Sequence, residues 1–189
     1  MEQLILASAS PRRREILTLL GLSFEVIPAK AEETISHSLP LDKAIERVAR
    51  SKAEEVAALH PDRVVIGADT VVTVDGHVLG KPRDAEQACA MLRQLQGRQH
   101  EVITGVWVCC PEPSECQGFA ERAWVEFYPM TQGEIADYVA TGEPLDKAGA
   151  YGIQGMGLRY IRGIKGDFYT VMGLPASRLW HLPPIRRLV

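Results

Sequence analysis

Three sets of residues in this chain have types and spacings suited to phosphate chemistry. The first is the run Ser8-Ala9-Ser10-Pro11-Arg12-Arg13-Arg14. Serine hydroxyls and guanidinium forks bind phosphate oxygens, and the free N–H groups of a helix start reinforce them. The second is a pair of separated cations, Lys52 and Lys81. The third is a set of carboxylates, Glu32, Glu33 and Asp69. Carboxylates on loops and strand ends can hold magnesium or manganese through substrate phosphates, or take a proton from water.

Each set also has a plainer reading. The arginine run could be a solvated basic turn. Cations in a first helical turn oppose the helix dipole, however, at ~0.3–1 kcal/mol each, and a bound anion removes that conflict. Lys52 falls on or beside the stripe of Ile45, Val48, Ala49, Ala53 and Val56. There it is either buried and paired, or it snorkels from the stripe edge to water. Asp69 interrupts the apolar stretch from Val64 to Val74. A carboxylate in such a place needs cations, a metal, or backbone N–H groups at a strand end. Glu33 taken alone reads as a solvated loop residue.

The elements that must position these groups follow from periodicity. Gln3 to Ala7 is a short apolar strand. Ser10 then suits an N-cap and Pro11 the first helical position, with Ile16, Leu17, Leu19 and Leu20 as the core-facing stripe and Gly21 as terminator. Phe24 to Pro28 alternates as a strand, and a helix is expected from about Leu41 to His60. Arg63 to Ala68 is the strongest strand, Asp69 follows it directly, and Thr70 to Val74 continues extended. Asp75-Gly76 signals a hairpin with His77-Val78-Leu79. Asp84 can cap a helix from Ala85 to Gln96, and Glu101 to Cys110 is rich in β-formers. Pro111 to Gly118 reads as a loop and Ala123 to Tyr128 as a strand. Thr131 and Glu134 have capping-box spacing before a helix to about Ala140. Gly149 to Gly157 carries four glycines among Tyr151, Ile153 and Met156, which suits a functional loop better than a linker. Leu158 to Ile164 and Phe168 to Met172 are expected to form a second hairpin, and a last helix follows Pro175. Interleaved strands and helices with two hairpins predict an α/β class, with a mixed twisted sheet flanked by helices.

Bulk properties exclude several functions. The chain has 189 residues and a net charge of −3, so one domain is expected and nucleic acid is not the default partner. No apolar run approaches the ~18–20 residues of a membrane span, and no secretion signal is evident. Cys89, Cys109, Cys110 and Cys116 make a poor disulfide framework and read as reduced thiols of a cytosolic protein. The five histidines never fall at metal-ligand spacing. There is no GxxxxGK(S/T) and no GxSxG, and Gly152 to Gly157 has the wrong order for a dinucleotide fingerprint.

The chain resembles the Maf family of nucleoside triphosphate pyrophosphatases. The matching pieces are Leu6 to Arg13, Glu33, Lys52, Gly67 to Val71, Gly80-Lys81-Pro82, Asp146 to Gly155 and Val171 to Pro175, in family order. The resemblance covers essentially the whole of residues 1–189. It implies an inosine-triphosphate-pyrophosphatase-like fold with two lobes around a cleft. It also implies hydrolysis of a nucleoside triphosphate to the monophosphate and pyrophosphate, a divalent metal, and commonly a homodimer. Asp69 matches the assigned proton acceptor. Arg12, Thr70 and Gln154 match the branch acting on dTTP and UTP, with CTP and modified pyrimidine nucleotides as further candidates.

On this reading Ser8, Ser10, Arg12 and Arg13 bind phosphate, and Thr70 and Gln154 bind substrate. Lys52 and Lys81 offset charge as pyrophosphate leaves. Glu33 and Asp69 hold magnesium or manganese, although Asp69 as base and Asp69 as metal ligand are competing roles. An amide at Gln154 carries donor and acceptor together, which suits the thymine or uracil edge. The rival is a nucleotide-binding regulator of septum formation that acts without turnover.

Overall fold

Short apolar strands alternating with amphipathic helices build this chain, as seen in a computed structural model that describes residues 4–30, 35–36 and 38–188. Glu32 and Glu33 lie outside the described residues. The strands are β1 (Leu4–Leu6), β2 (Phe24–Val26), β3 (Val64–Val74), β4 (His77–Leu79), β5 (Gln99–Cys109), β6 (Gln117–Phe127) and β7 (Ile161–Gly166). The helices are α1 (Pro11–Leu19), α2 (Leu41–Ala57), α3 (Ala85–Leu95), α4 (Gln132–Ala140), α5 (Phe168–Met172), α6 (Ala176–Trp180) and α7 (Pro183–Arg186). None is long and apolar enough to cross a membrane.

The sheet has seven strands in the order β2-β1-β3-β5-β6-β7, with β4 beside β3. It is mixed. β1 runs parallel to both β2 and β3, whereas β4 is antiparallel to β3 and β7 antiparallel to β6. The β3–β4 turn is made by Asp75 and Gly76, both at positive φ (51° and 77°), as the expected hairpin requires.

The chain divides into two units. The first comprises Met1–Asp69, Thr104–Glu121 and Gly173–Val189. Leu4, Ile5, Leu6, Ile16, Leu17, Ile45 and Ile66 are fully buried there. α2 lies hard against the sheet at two glycines. A Cβ on Gly67 would stand 2.2 Å from the Ala49 carbonyl oxygen and 2.7 Å from the Ala53 nitrogen, and one on Gly105 would stand 2.6 Å from the Ile45 oxygen. Cys109 and Cys110 are buried free thiols in this unit. Burial, then the neighbouring Cys116, pushes them up to about 12 and about 11 respectively.

The second unit comprises Thr70–Ile103 and Arg122–Met172. α3 is capped by Asp84, which accepts the Gln87 N–H, and α4 by the predicted capping box of Thr131 and Glu134. The core holds three rings at near-perpendicular angles. Phe127 and Tyr151 have centroids 4.8 Å apart, and His100 sits 5.0 Å from Phe127 and 5.3 Å from Tyr151. Such edge-to-face packing is favourable beyond area alone. The Nε2 of His100 is 2.8 Å from the Tyr151 hydroxyl, while its buried Nδ1 has no hydrogen-bond partner among the described residues. Burial, then the Arg98 charge, lowers His100 to about 4.

Several sequence expectations need correction. Phe168 to Met172 is a helix, not the return strand of a hairpin. The Asp167 carboxylate accepts the Thr170 N–H at 2.6 Å and its hydroxyl at 2.9 Å, and this cap overrides the β-propensity of the aromatic and branched residues. Leu19 is 66% exposed and Leu20 half-buried, so the stripe of α1 is only Ile16 and Leu17. Ser10 stands at the N-cap of α1 but its side chain caps nothing. β6 begins at Gln117, well before Ala123. The intervening loop shortens to a turn in which Glu112 accepts the Ser114 N–H.

Two outcomes are expected from these packings. Gly67→Ala forces a methyl into the backbone of α2, and overpacking of this kind costs ~1–3 kcal/mol or more. Its thermal midpoint should drop by several degrees, while Gly163→Ala, which meets nothing within 4 Å, should leave the midpoint unchanged. Between pH 6.5 and about 4 the unfolded chain binds a proton at His100 that the folded chain refuses. Stability should therefore fall as pH drops through that window, by about 3 kcal/mol from this one group. Urea titrations at stepped pH should show that portion of the slope missing in His100→Phe.

Candidate active site

Within the first unit the structure brings together two of the predicted groups of residues. The first is Ser8 with Arg13. β1 ends at Leu6, on the rung shared with Ile66, and the chain then turns through Ser8 into α1. Ser8 is buried. Its Oγ accepts a hydrogen bond from the Arg13 Nη1 at 3.0 Å and another from the Ser10 N–H at 3.3 Å. A hydroxyl has two acceptor positions and one donor, so its O–H remains to be directed elsewhere. Arg13 also donates from Nε to the Gly173 carbonyl at 2.8 Å. Gly173 takes φ 109°, a conformation that L side chains rarely adopt. Arg14 donates to the Ala9 carbonyl at 2.9 Å. Protein oxygens thus answer part of the charge that opposes the α1 dipole. Arg12 is half-buried in the same turn, as is Ser10.

The second group is Lys52 with Asp69. α2 buries Ala44, Ile45, Val48, Ala49, Ala53 and Val56 together with Lys52, so of the two readings of Lys52 the buried, paired one is found. β3 reaches Asp69 three residues after the rung that Ile66 shares with β1. The Lys52 Nζ donates to the Asp69 Oδ1 at 2.7 Å, with each side chain only 9% exposed. Removing one member of such a pair leaves an uncompensated buried charge, at a cost of ~3–5 kcal/mol. Ser8 thus stands just beyond the carboxyl end of β1, whereas Asp69 lies in the middle of the neighbouring parallel strand β3 and not directly after a strand.

The remaining predicted residues that are described belong to the second unit. Thr70 continues β3 and is half-buried. Lys81 is exposed two residues beyond β4. The turn before it is tied to the glycine loop, because Gly149 donates from N to the Gly80 carbonyl at 3.1 Å. Gly149 has φ 68°, and a Cβ there would lie 2.8 Å from a Val72 methyl. The loop that follows holds Gln154 exposed. Glu33, the second expected metal ligand, lies outside the described residues.

Sequence reasoning missed three contributors. The Gly173 carbonyl was invisible as the Arg13 partner, because a backbone acceptor leaves no trace in residue type. Tyr138 falls within the helix expected to end near Ala140, and Glu143 lies between its expected stops, Gly142 and Pro144. Yet the Glu143 carboxylate accepts hydrogen bonds from the Tyr138 hydroxyl at 2.8 Å and the Met156 N–H at 2.7 Å. Charged Glu143 just before Pro144 was the one available signal.

Among the described residues no group of three or more His, Cys, Asp or Glu converges as a ready metal cage. Magnesium does not require one, since one or two carboxylates with substrate phosphates hold it. Asp69, in the middle of β3, is a donor of that kind.

Residues 3–183 match the family model described as Maf-like protein. The dTTP/UTP pyrophosphatase of Geobacillus sp. (strain WCH70) is 47% identical over 178 residues, which span 94% of this chain and 95% of that one. The dTTP/UTP pyrophosphatase of Bacillus cytotoxicus is 49% identical over 180 residues, 95% and 93% of the two chains. Among solved structures, the Staphylococcus aureus Ham1 protein aligns over 66% of this chain and 71% of that one, at 17% identity and TM-score 0.44. A match from residue 3 to residue 183, joined to relatives close to half identical over nearly their full length, establishes that this chain belongs to the Maf-like protein family.

Proposed function

We propose that this protein hydrolyses dTTP and UTP, with CTP and modified pyrimidine nucleotides as further substrates, to the monophosphate and pyrophosphate. The observation that carries the reading is the buried Lys52–Asp69 pair, in a chain whose relatives are named dTTP/UTP pyrophosphatases. A buried carboxylate held by a lysine is equipped to orient water and to accept its proton. The septum-regulator alternative has no observation in its favour.

Water attacks the α-phosphorus and gives its proton to Asp69. The new phosphorus–oxygen bond forms as the bond to the β-phosphate breaks, and pyrophosphate departs. Lys52 balances and orients the Asp69 carboxylate. The Ser8 and Ser10 hydroxyls donate to phosphate oxygens. Arg12, Arg13 and Lys81 offset the negative charge that shifts toward the leaving group. Magnesium or manganese, held by Glu33 and the phosphates while Asp69 serves as base, would supply further charge neutralisation. Gln154 and Thr70 select the base, the amide pairing with the O4 and N3–H edge of thymine or uracil. The reading extends to a cytoplasmic homodimer, taking a nucleotide and not a nucleic acid.

Pyrophosphate release from a nucleotide panel with magnesium or manganese is the direct test, and dTTP and UTP should lead the ranking. Asp69→Asn should lower kcat by about 10²–10⁴-fold, the usual contribution of a general base. Circular dichroism should show the variant folded, with a lower melting midpoint because the buried Lys52–Asp69 ion pair is lost. A folded variant turning over at the unaltered rate would remove Asp69 from the reaction. Gln154→Glu should lower kcat/KM for dTTP and UTP relative to the purine nucleotides, because a carboxylate cannot donate to O4. An unchanged ranking would mean that the loop does not read the base.

A further inference from the structure

The loop that carries Gln154 is not held by regular secondary structure. Its backbone passes through short 3-10 turns, Ala148–Ala150 and Met156–Tyr160. Two side chains at the end of α4 hold it instead. The Tyr138 hydroxyl donates to the Glu143 Oε1 at 2.8 Å and accepts the Gly152 N–H at 3.0 Å. The Glu143 carboxylate accepts the Met156 N–H at Oε2, 2.7 Å, and the Gly157 N–H at Oε1, 3.3 Å. Residues on both sides of Gln154 are therefore tied to one carboxylate–phenol pair.

That closeness leaves no room for a side chain at Gly155 or Gly157 unless the clamp shifts. A Cβ on Gly155 would sit 2.4 Å from the Glu143 Cδ and from both carboxylate oxygens. One on Gly157 would sit 2.6 Å from the Tyr138 hydroxyl. The pair is itself fixed from behind. Glu143 donates from N to the Thr141 hydroxyl oxygen at 3.2 Å, and Lys147 donates to the Glu143 carbonyl at 2.7 Å. Burial alone would raise the Glu143 carboxyl. The Met156 N–H, the Tyr138 hydroxyl and the Gly157 N–H outweigh it and hold the group below the usual carboxylate range. Glu143 is thus a carboxylate at neutral pH, able only to accept.

We propose that Glu143 and Tyr138 are positioning residues for substrate selection. Their clamp on residues 152–157 sets where the Gln154 amide meets the pyrimidine edge, an inference that rests on the base-reading role given above to Gln154. Neither residue touches the reacting phosphates. Their removal costs recognition, not the chemical step.

Glu143→Gln tests this, because an amide keeps the shape but turns a donor toward a backbone N–H, which can only donate. KM for dTTP and UTP should rise about tenfold, the size of one hydrogen bond to a charged group. Selectivity over dGTP should fall by the same factor, with kcat within about twofold. Tyr138→Phe deletes one hydroxyl and should shift KM in the same direction by about threefold, less than one full hydrogen bond to charge. Amide exchange should accelerate at Met156 and Gly157 in the first variant and at Gly152 in the second. An unchanged KM in Glu143→Gln, whether or not exchange accelerates, overturns the clamp. So does a lower kcat and melting midpoint at unchanged KM, which is the mark of a merely structural role. An unchanged nucleotide ranking in Gln154→Glu, by contrast, overturns the base-reading role itself and the clamp with it.

Discussion

The ion pair between Lys52 and Asp69 is the constraint on which the first unit turns. Each member alone would be expensive. Lys52 sits in the apolar stripe of α2 and Asp69 in an otherwise buried stretch of β3. Together, at 2.7 Å, they offset each other's desolvation. That requires α2 to stand unusually near the sheet. Gly67, two residues before Asp69, supplies the room, and Ala49 and Ala53 keep the facing surface small. The chemistry proposed for Asp69 is therefore bound to a packing distance set by residues with no chemistry of their own.

The arginine run at the start of α1 shows a different balance. Three cations oppose the helix dipole there. Arg13 spends its Nε on the Gly173 carbonyl and an Nη on Ser8, and Arg14 spends an Nη on the Ala9 carbonyl. The conflict is thus eased in part by the protein before any anion arrives. Arg13 also joins the β1–α1 turn to the backbone that follows α5, so it arranges Ser8 while carrying charge. Binding and bracing are not separate duties in such a residue, since a guanidinium has five donors in a fixed fork.

Much of this was legible in the sequence where local chemistry and pattern agree. The Asp75-Gly76 turn, the Thr131–Glu134 capping box, the Gly21 terminus and the stripe of α2 are all determined by neighbours within a few residues. Lys52 was half legible. Spacing put it beside the stripe, but its partner lies 17 residues away and only the pairing of α2 with β3 decides between burial and snorkelling. Phe168 to Met172 misled because a single Asp cap outweighed four residues of β-propensity. Leu19 misled because α1 is too short to bury a full stripe. The glycine loop was recognisable as irregular backbone, yet the carboxylate that shapes it was not, since hydrogen bonds to backbone N–H leave no periodic mark.

The two thiols at the end of β5 carry a consequence of another kind. With Cys109 pushed up to about 12 and Cys110 to about 11, only a minute thiolate fraction exists near neutrality, and thiolate is the form that alkylating reagents attack. Their labelling will accordingly track transient opening of the first unit and not its resting surface. Without any introduced probe, the chain carries an internal clock for its own local unfolding.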